Sequence, residues 1–154
     1  MLKYQATDGV KNQLIFGPVV LAADNTPAAL DTRGFALAEI ELFTGIGGIT
    51  FDGSNKIEWT LKHGDDTTVG NHTAVAAADV KIFSAVRTEV ALVTGGIVWQ
   101  LIAAHAAAAM RWVHYYGNKR YLSLLADFSG THGTGTPLAA KLRLAGGRIN
   151  PPIS

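Results

Sequence analysis

Four side chains with metal-binding chemistry fall close together: His63, Asp65, Asp66 and His72 lie within ten residues. Imidazole nitrogens and carboxylate oxygens are what proteins offer to zinc or calcium. The spacing matches no established ligand pattern, however, and aspartate in a loop is well suited to closing turns with its own carboxylate. The sequence therefore predicts a turn-rich loop and no resident metal. Glu39 and Glu41 form a second acidic pair that would share one face of a strand. Glycosidases also use two carboxylates, but take them from separate elements across a cleft. Gly45-Ile46-Gly47-Gly48 and Gly130-Thr131-His132-Gly133-Thr134-Gly135 have the glycine content of phosphate loops. Neither carries the Gly-Lys-Ser/Thr that opens a nucleotide-binding helix, so both are expected to be turns or bulges. His105, His114 and His132 stand apart from any nucleophile motif. No Gly-x-Ser-x-Gly elbow or His-Glu-x-x-His pattern is present. The expectation is a protein that is not an enzyme and uses no cofactor.

The aromatic residues Trp99, Trp112, Tyr115, Tyr116 and Tyr121 gather in the C-terminal half, with Arg111, Lys119 and Arg120 among them. Such a mixture can stack nucleic-acid bases or anchor a protein interface. The formal net charge is only +1, with no basic run. Nucleic-acid binding leaves a stronger electrostatic footprint, so the interface reading is preferred. The predicted contact residues are Arg111, Tyr115, Tyr116, Lys119 and Arg120, together with Arg148, Pro151 and Pro152 near the C-terminus.

Composition supports a protein that lives against partners. Of the 154 residues, 48% are hydrophobic but only 16% are charged, against roughly 25% in an average soluble domain. A surface so poor in charge suits coverage by other chains. Seventeen glycines suit close backbone packing, and the absence of cysteine excludes disulfides and thiolate metal sites. No secretory signal is apparent, and the longest apolar segment, 95–110, is shorter than the ~20 residues that span a bilayer. The chain reads as soluble, with no membrane partner.

The elements that must position these residues read as short strands. Residues 35–44 alternate Ala36, Ala38, Ile40 and Leu42 against Phe35, Leu37, Glu39, Glu41 and Phe43, a central strand with its two glutamates near a rim. Residues 56–63 alternate apolar and charged side chains, as half-buried antiparallel strands do. Residues 137–145 repeat the pattern, with Leu138, Ala140, Leu142 and Leu144 inward. Pro18 confines the N-terminal strand to a sheet edge. Residues 89–93 and 97–102 are expected to be strands joined by Thr94-Gly95-Gly96. The alanine-rich stretches within 71–86 and 103–109 suit either a helical turn or a loop. Residues 110–116 and 120–128 are predicted to form a hairpin through a two-residue Gly117-Asn118 turn, since Gly and Asn tolerate the required positive φ.

Seven or eight such strands point to an all-β fold, an antiparallel β-sandwich or jelly-roll-like barrel. It is expected to carry an N-terminal arm or edge strand (residues 1–17), a domain over 18–145 and an extended tail over 146–154.

Three segments carry a resemblance: Asp31-Thr32-Arg33-Gly34-Phe35, then Trp59-Thr60-Leu61-Lys62-His63-Gly64-Asp65-Asp66, then Tyr116-Gly117-Asn118-Lys119-Arg120-Tyr121-Leu122. In this order, with a Gly/Thr loop and a terminal strand following, they resemble small β-sandwich virion proteins of tailed bacteriophages. The resemblance spans roughly residues 20 to 150, and Ala103–Ala109 departs from it. It implies a capsid decoration (cement) protein that binds the assembled shell as a small homo-oligomer, with a trimer favoured. The partner would be the major capsid protein or another virion protein, and the location the virion, assembled in the host cytoplasm. A head–tail connector, neck or tail component is the alternative within the class. A carbohydrate-binding β-sandwich, with exposed aromatics as stacking platforms, is the alternative outside it.

Overall fold

Strand alternation is the dominant signal in the chain, and a computed structural model shows where it leads. The structure describes residues 9–147. Among the described residues eleven strands form: β1 (Lys11–Leu21), β2 (Leu30–Asp31), β3 (Leu37–Thr44), β4 (Lys56–Gly64), β5 (Thr73–Ala74), β6 (Val80–Ser84), β7 (Glu89–Val90), β8 (Ile97–Leu101), β9 (Ala109–Tyr115), β10 (Tyr121–Ser129) and β11 (Thr136–Ala145). One sheet has six strands in the order β1-β11-β3-β9-β6-β7, and the other joins β2, β10, β4 and β5, with β8 also paired to β4. All strand pairs are antiparallel, and the two sheets pack as a β-sandwich.

The core lies between the sheets. Ile40, Leu42, Val113, Leu142 and Leu144 come from the six-stranded sheet, and Ile57, Trp59, Leu61, Leu122 and Leu124 from the other; all are fully buried. A period of two places these residues on one face of each strand, so register is set by burial. Trp59 is the largest of them and stacks between Phe16 (centroids 5.7 Å apart) and Trp99 (6.3 Å).

β1 realises the edge-strand reading of the N-terminus. It pairs only with β11, its register shifts on either side of Phe16, and Pro18 occupies the second irregular stretch. Proline and bulges on an edge blunt further strand addition. The expected boundary between residues 17 and 18 falls inside β1, so residues 11–17 belong to the sandwich. Residues 1–8 and 148–154, including Arg148, Pro151 and Pro152, lie outside the described residues.

Other expectations are corrected. β9 and β10 do not form a hairpin: β9 pairs with β3 and β6 in one sheet, β10 with β2 and β4 in the other. Residues 116–120 are an arch that carries the chain between sheets. Neither Gly117 nor Asn118 has a positive φ. Gly117 is required instead by proximity, since a Cβ there would lie 2.6 Å from Tyr115 Cε2. The segments at 89–93 and 97–102 also part, β7 joining the six-stranded sheet and β8 the other, with a single bridge between Val93 and Ile97. Residues 102–108 form a loop, and the described chain has no helix beyond a 3₁₀ turn at Val69–Asn71. No described helix is long and apolar enough to cross a membrane.

Candidate functional site

The histidines and acids that could have done chemistry are largely committed to holding the sandwich together. His63 Nδ1 is 2.9 Å from the Tyr115 hydroxyl, a buried tie from β4 to β9 across the core. That hydroxyl also accepts the Lys119 amide (3.1 Å). Burial pushes the Tyr115 phenol above its ordinary pKa. His72 is bonded at both ring nitrogens, Nδ1 to Ser123 Oγ (2.9 Å) and Nε2 to the Asp66 carbonyl (2.8 Å). Asp66 caps its own loop, accepting from the Thr68 amide and Asn71, which lowers its pKa. Asp65 pairs with Lys119. The four candidate ligands therefore point into different bonds, and no group of three or more His, Asp or Glu is arranged for a metal among the described residues.

His105 and His132 meet around a ring the sequence did not associate with them. Phe51, buried, stacks on His105 at 5.4 Å and tilts against His132 at 6.2 Å. His105 Nε2 donates to the Gly45 carbonyl at 2.9 Å, and His132 Nε2 to that of Ser129 at 2.8 Å.

Glu39 and Glu41 do not lie at a rim. β3 is an interior strand, and both carboxylates sit mid-sheet on its outer face. Glu41 is 2.9 Å from Lys141. Glu39 lies 3.8 Å from Arg143 and 2.6 Å from His114 Nε2, the latter at an angle outside hydrogen-bond geometry. The outer face thus neutralises its own charges in cross-strand pairs.

The predicted contact residues separate. Tyr115 is buried in the core, whereas Tyr116 is 56% exposed. Arg120 makes a two-pronged bond to Asp31 (3.0 and 2.7 Å) and lies over Tyr121, fastening β10 to β2. Its guanidinium holds the Asp31 carboxyl down from 3.8 to about 2, with burial opposing. A carboxyl depressed by folding stabilises the fold above its unfolded pKa, and that contribution is lost as pH falls through the folded value. Stability is therefore expected to fall between pH about 4 and about 2. In circular dichroism acid titrations, Asp31→Asn should flatten this limb. Since both side chains are about one-third exposed (36% and 38%), salt should shrink the difference. An unaltered acid limb in the variant would remove the pair from the account.

Two of the three tryptophans lie in the core and the third is half-buried. Trp59 and Trp99 are buried, and Arg87 lies over Trp112 at 3.8 Å. What the outer face does expose includes apolar side chains. Leu14 (64% exposed), Val19 and Phe43 join Pro18, Pro137 and Ala139 around a groove of ≈ 400 Å³ with wholly apolar walls, bordered at one end by Lys141. Sequence reasoning missed this surface. Its signal was the apolar residue on the outward phase of β3, Phe43, opposite Ala139 on β11.

Comparisons leave the chain by itself: no family model, curated protein or solved structure matches it.

Proposed function

We propose that the chain is a non-enzymatic structural protein of a tailed-phage particle, a capsid-decorating protein that binds the assembled shell as a small homo-oligomer, with a trimer as the expected state. The observation that carries the reading is the apolar groove on the outer face of the six-stranded sheet. Exposed apolar side chains gathered on one face, as here, are where protein contacts form. Here the neighbouring charges are already paired with one another, so little but apolar burial is left for a partner to gain. The three-segment resemblance to small virion β-sandwiches supplies the class of partner.

The contact surface in this proposal differs from the one expected from sequence. Lys119 and Arg120 hold Asp65 and Asp31 within the chain, so their removal acts on the arch first. The contact is assigned instead to Leu14, Val19 and Phe43. Leu14→Asp combined with Phe43→Asp should leave the melting curve close to wild type, because both side chains are substantially exposed (64% and 38%). The same pair should weaken co-sedimentation with expanded shells of the cognate major capsid protein by about tenfold or more, the effect of losing central interface anchors. Wild-type protein that fails to sediment with shells, or a variant that sediments equally well, would contradict the proposal.

A further inference from the structure

Arg111 breaks the pattern of its own strand. It alternates in phase with Val113 and Tyr115, both buried, so it stands at an inward-facing position of β9. Its guanidinium lies over the buried Trp99 ring, 5.6 Å from the centroid. Its Nε is buried without a hydrogen-bond partner, and none of the ion pairs among the described residues includes it. Burial alone lowers its pKa. Glu58, bonded to Gln100 across the strand, is already neutralised by Lys56. A guanidinium partly withdrawn from water, as Arg111 is, is stabilised by a partner of opposite charge.

The cation opens onto a cavity of ≈ 380 Å³ at one end of the sandwich, between β8, β9 and the 102–108 loop, with His105 and Trp99 also on its walls. Val86 (82% exposed) and Ile102 (46% exposed) line it as well and present apolar surface to solvent. A free anion would leave that apolar surface wet. An acidic side chain carried on a polypeptide would cover it.

We infer that this cavity is a socket for a carboxylate side chain of a partner protein, with Arg111 as the charge it meets and Val86 and Ile102 as the apolar rim that covers the partner's backbone. Guanidinium is the cation best shaped for carboxylate, since it can donate two parallel bonds to it. The inference goes beyond shell binding, because the socket and the outer-face groove are lined by different residues and either can fail without the other.

The test is an NMR titration of the whole chain with N-acetyl-Leu-Glu-Leu-amide, its Gln counterpart and propionate, read at the Arg111 Nε–H and Trp99 indole N–H resonances. The Glu peptide is expected to shift both saturably. It should bind about tenfold or more tighter than the Gln peptide, the usual margin of a charge-assisted bond, and tighter than propionate. Arg111→Gln should abolish the response. Should that variant fold poorly, Val86→Asp on the exposed rim should weaken the Glu peptide more than the Gln peptide, because the new carboxylate adds repulsion to the apolar contact both lose. Equal binding of the two peptides, no response to either, propionate binding as tightly as the Glu peptide, or insensitivity to Val86→Asp would each overturn the inference.

Discussion

Trp59→Ala is expected to lower the unfolding free energy by about 3–5 kcal/mol, the range for truncating a fully buried aromatic. Trp59 lies on β4, which pairs with β10, β5 and β8, and its ring stacks with Phe16 and Trp99. Alanine would open a cavity beneath three strands and separate β1 from the centre of the core. Trp59→Phe is the informative control. The indole N–H is buried without a protein partner, so phenylalanine removes an unsatisfied donor while keeping most of the apolar volume. The control should cost about 1.5 kcal/mol or less, well below the alanine truncation, because only part of the ring's volume is lost. Urea unfolding followed by circular dichroism measures both. An alanine variant within about 1 kcal/mol of wild type would mean that the core is not centred on this ring.

Gly117→Ala carries the second large effect, about 2–3 kcal/mol, from overpacking and the disturbance of a buried hydrogen bond. The new methyl would press on the ring of Tyr115, whose hydroxyl holds both His63 and the Lys119 amide. Asn118→Ala, in contrast, should change stability by about 0.5 kcal/mol or less, because the arch asks no left-handed conformation of it. A two-residue hairpin turn would make the opposite demand, with Asn118 needed for its positive φ. Thermal and urea unfolding of the two variants thus separates an arch between sheets from a hairpin within one. Equal losses at 117 and 118 would favour the hairpin.

The contrast between those residues shows how far the sequence could be read. Faces were legible: β3, β4 and β11 bury Ile40, Leu42, Ile57, Leu61, Leu142 and Leu144, as the alternation requires. Partners were not. A Gly-Asn turn says that the chain reverses, but not whether it reverses within a sheet or crosses to the other; here it crosses, with the Tyr115 hydroxyl accepting the Lys119 amide across the arch. The helical options for the alanine-rich stretches came from propensity alone. At Ala74 the sheet prevails, because β5 pairs with β4. The histidines were isolated in sequence: His72 and Ser123, His63 and Tyr115, and His105 and Phe51 are 51, 52 and 54 residues apart and are joined only by folding. Arg111 could have been singled out, since its phase with Val113 and Tyr115 already places a cation where an apolar residue belongs. The apolar outer face was half visible in Phe43 and hidden at Leu14 and Val19, because the irregular register of β1 decides which of its side chains face outward.

The proposed decoration role requires the outer face of the six-stranded sheet to meet a viral shell. Hydroxyl-radical footprinting of the protein free and bound to expanded shells tests it most directly, because it reads side chains one by one. Strong protection of Leu14, Val19 and Phe43 is expected on binding, with the exposed Tyr116 reacting as before. Unchanged labelling of Leu14 and Phe43 on protein that remains bound to shells would contradict it.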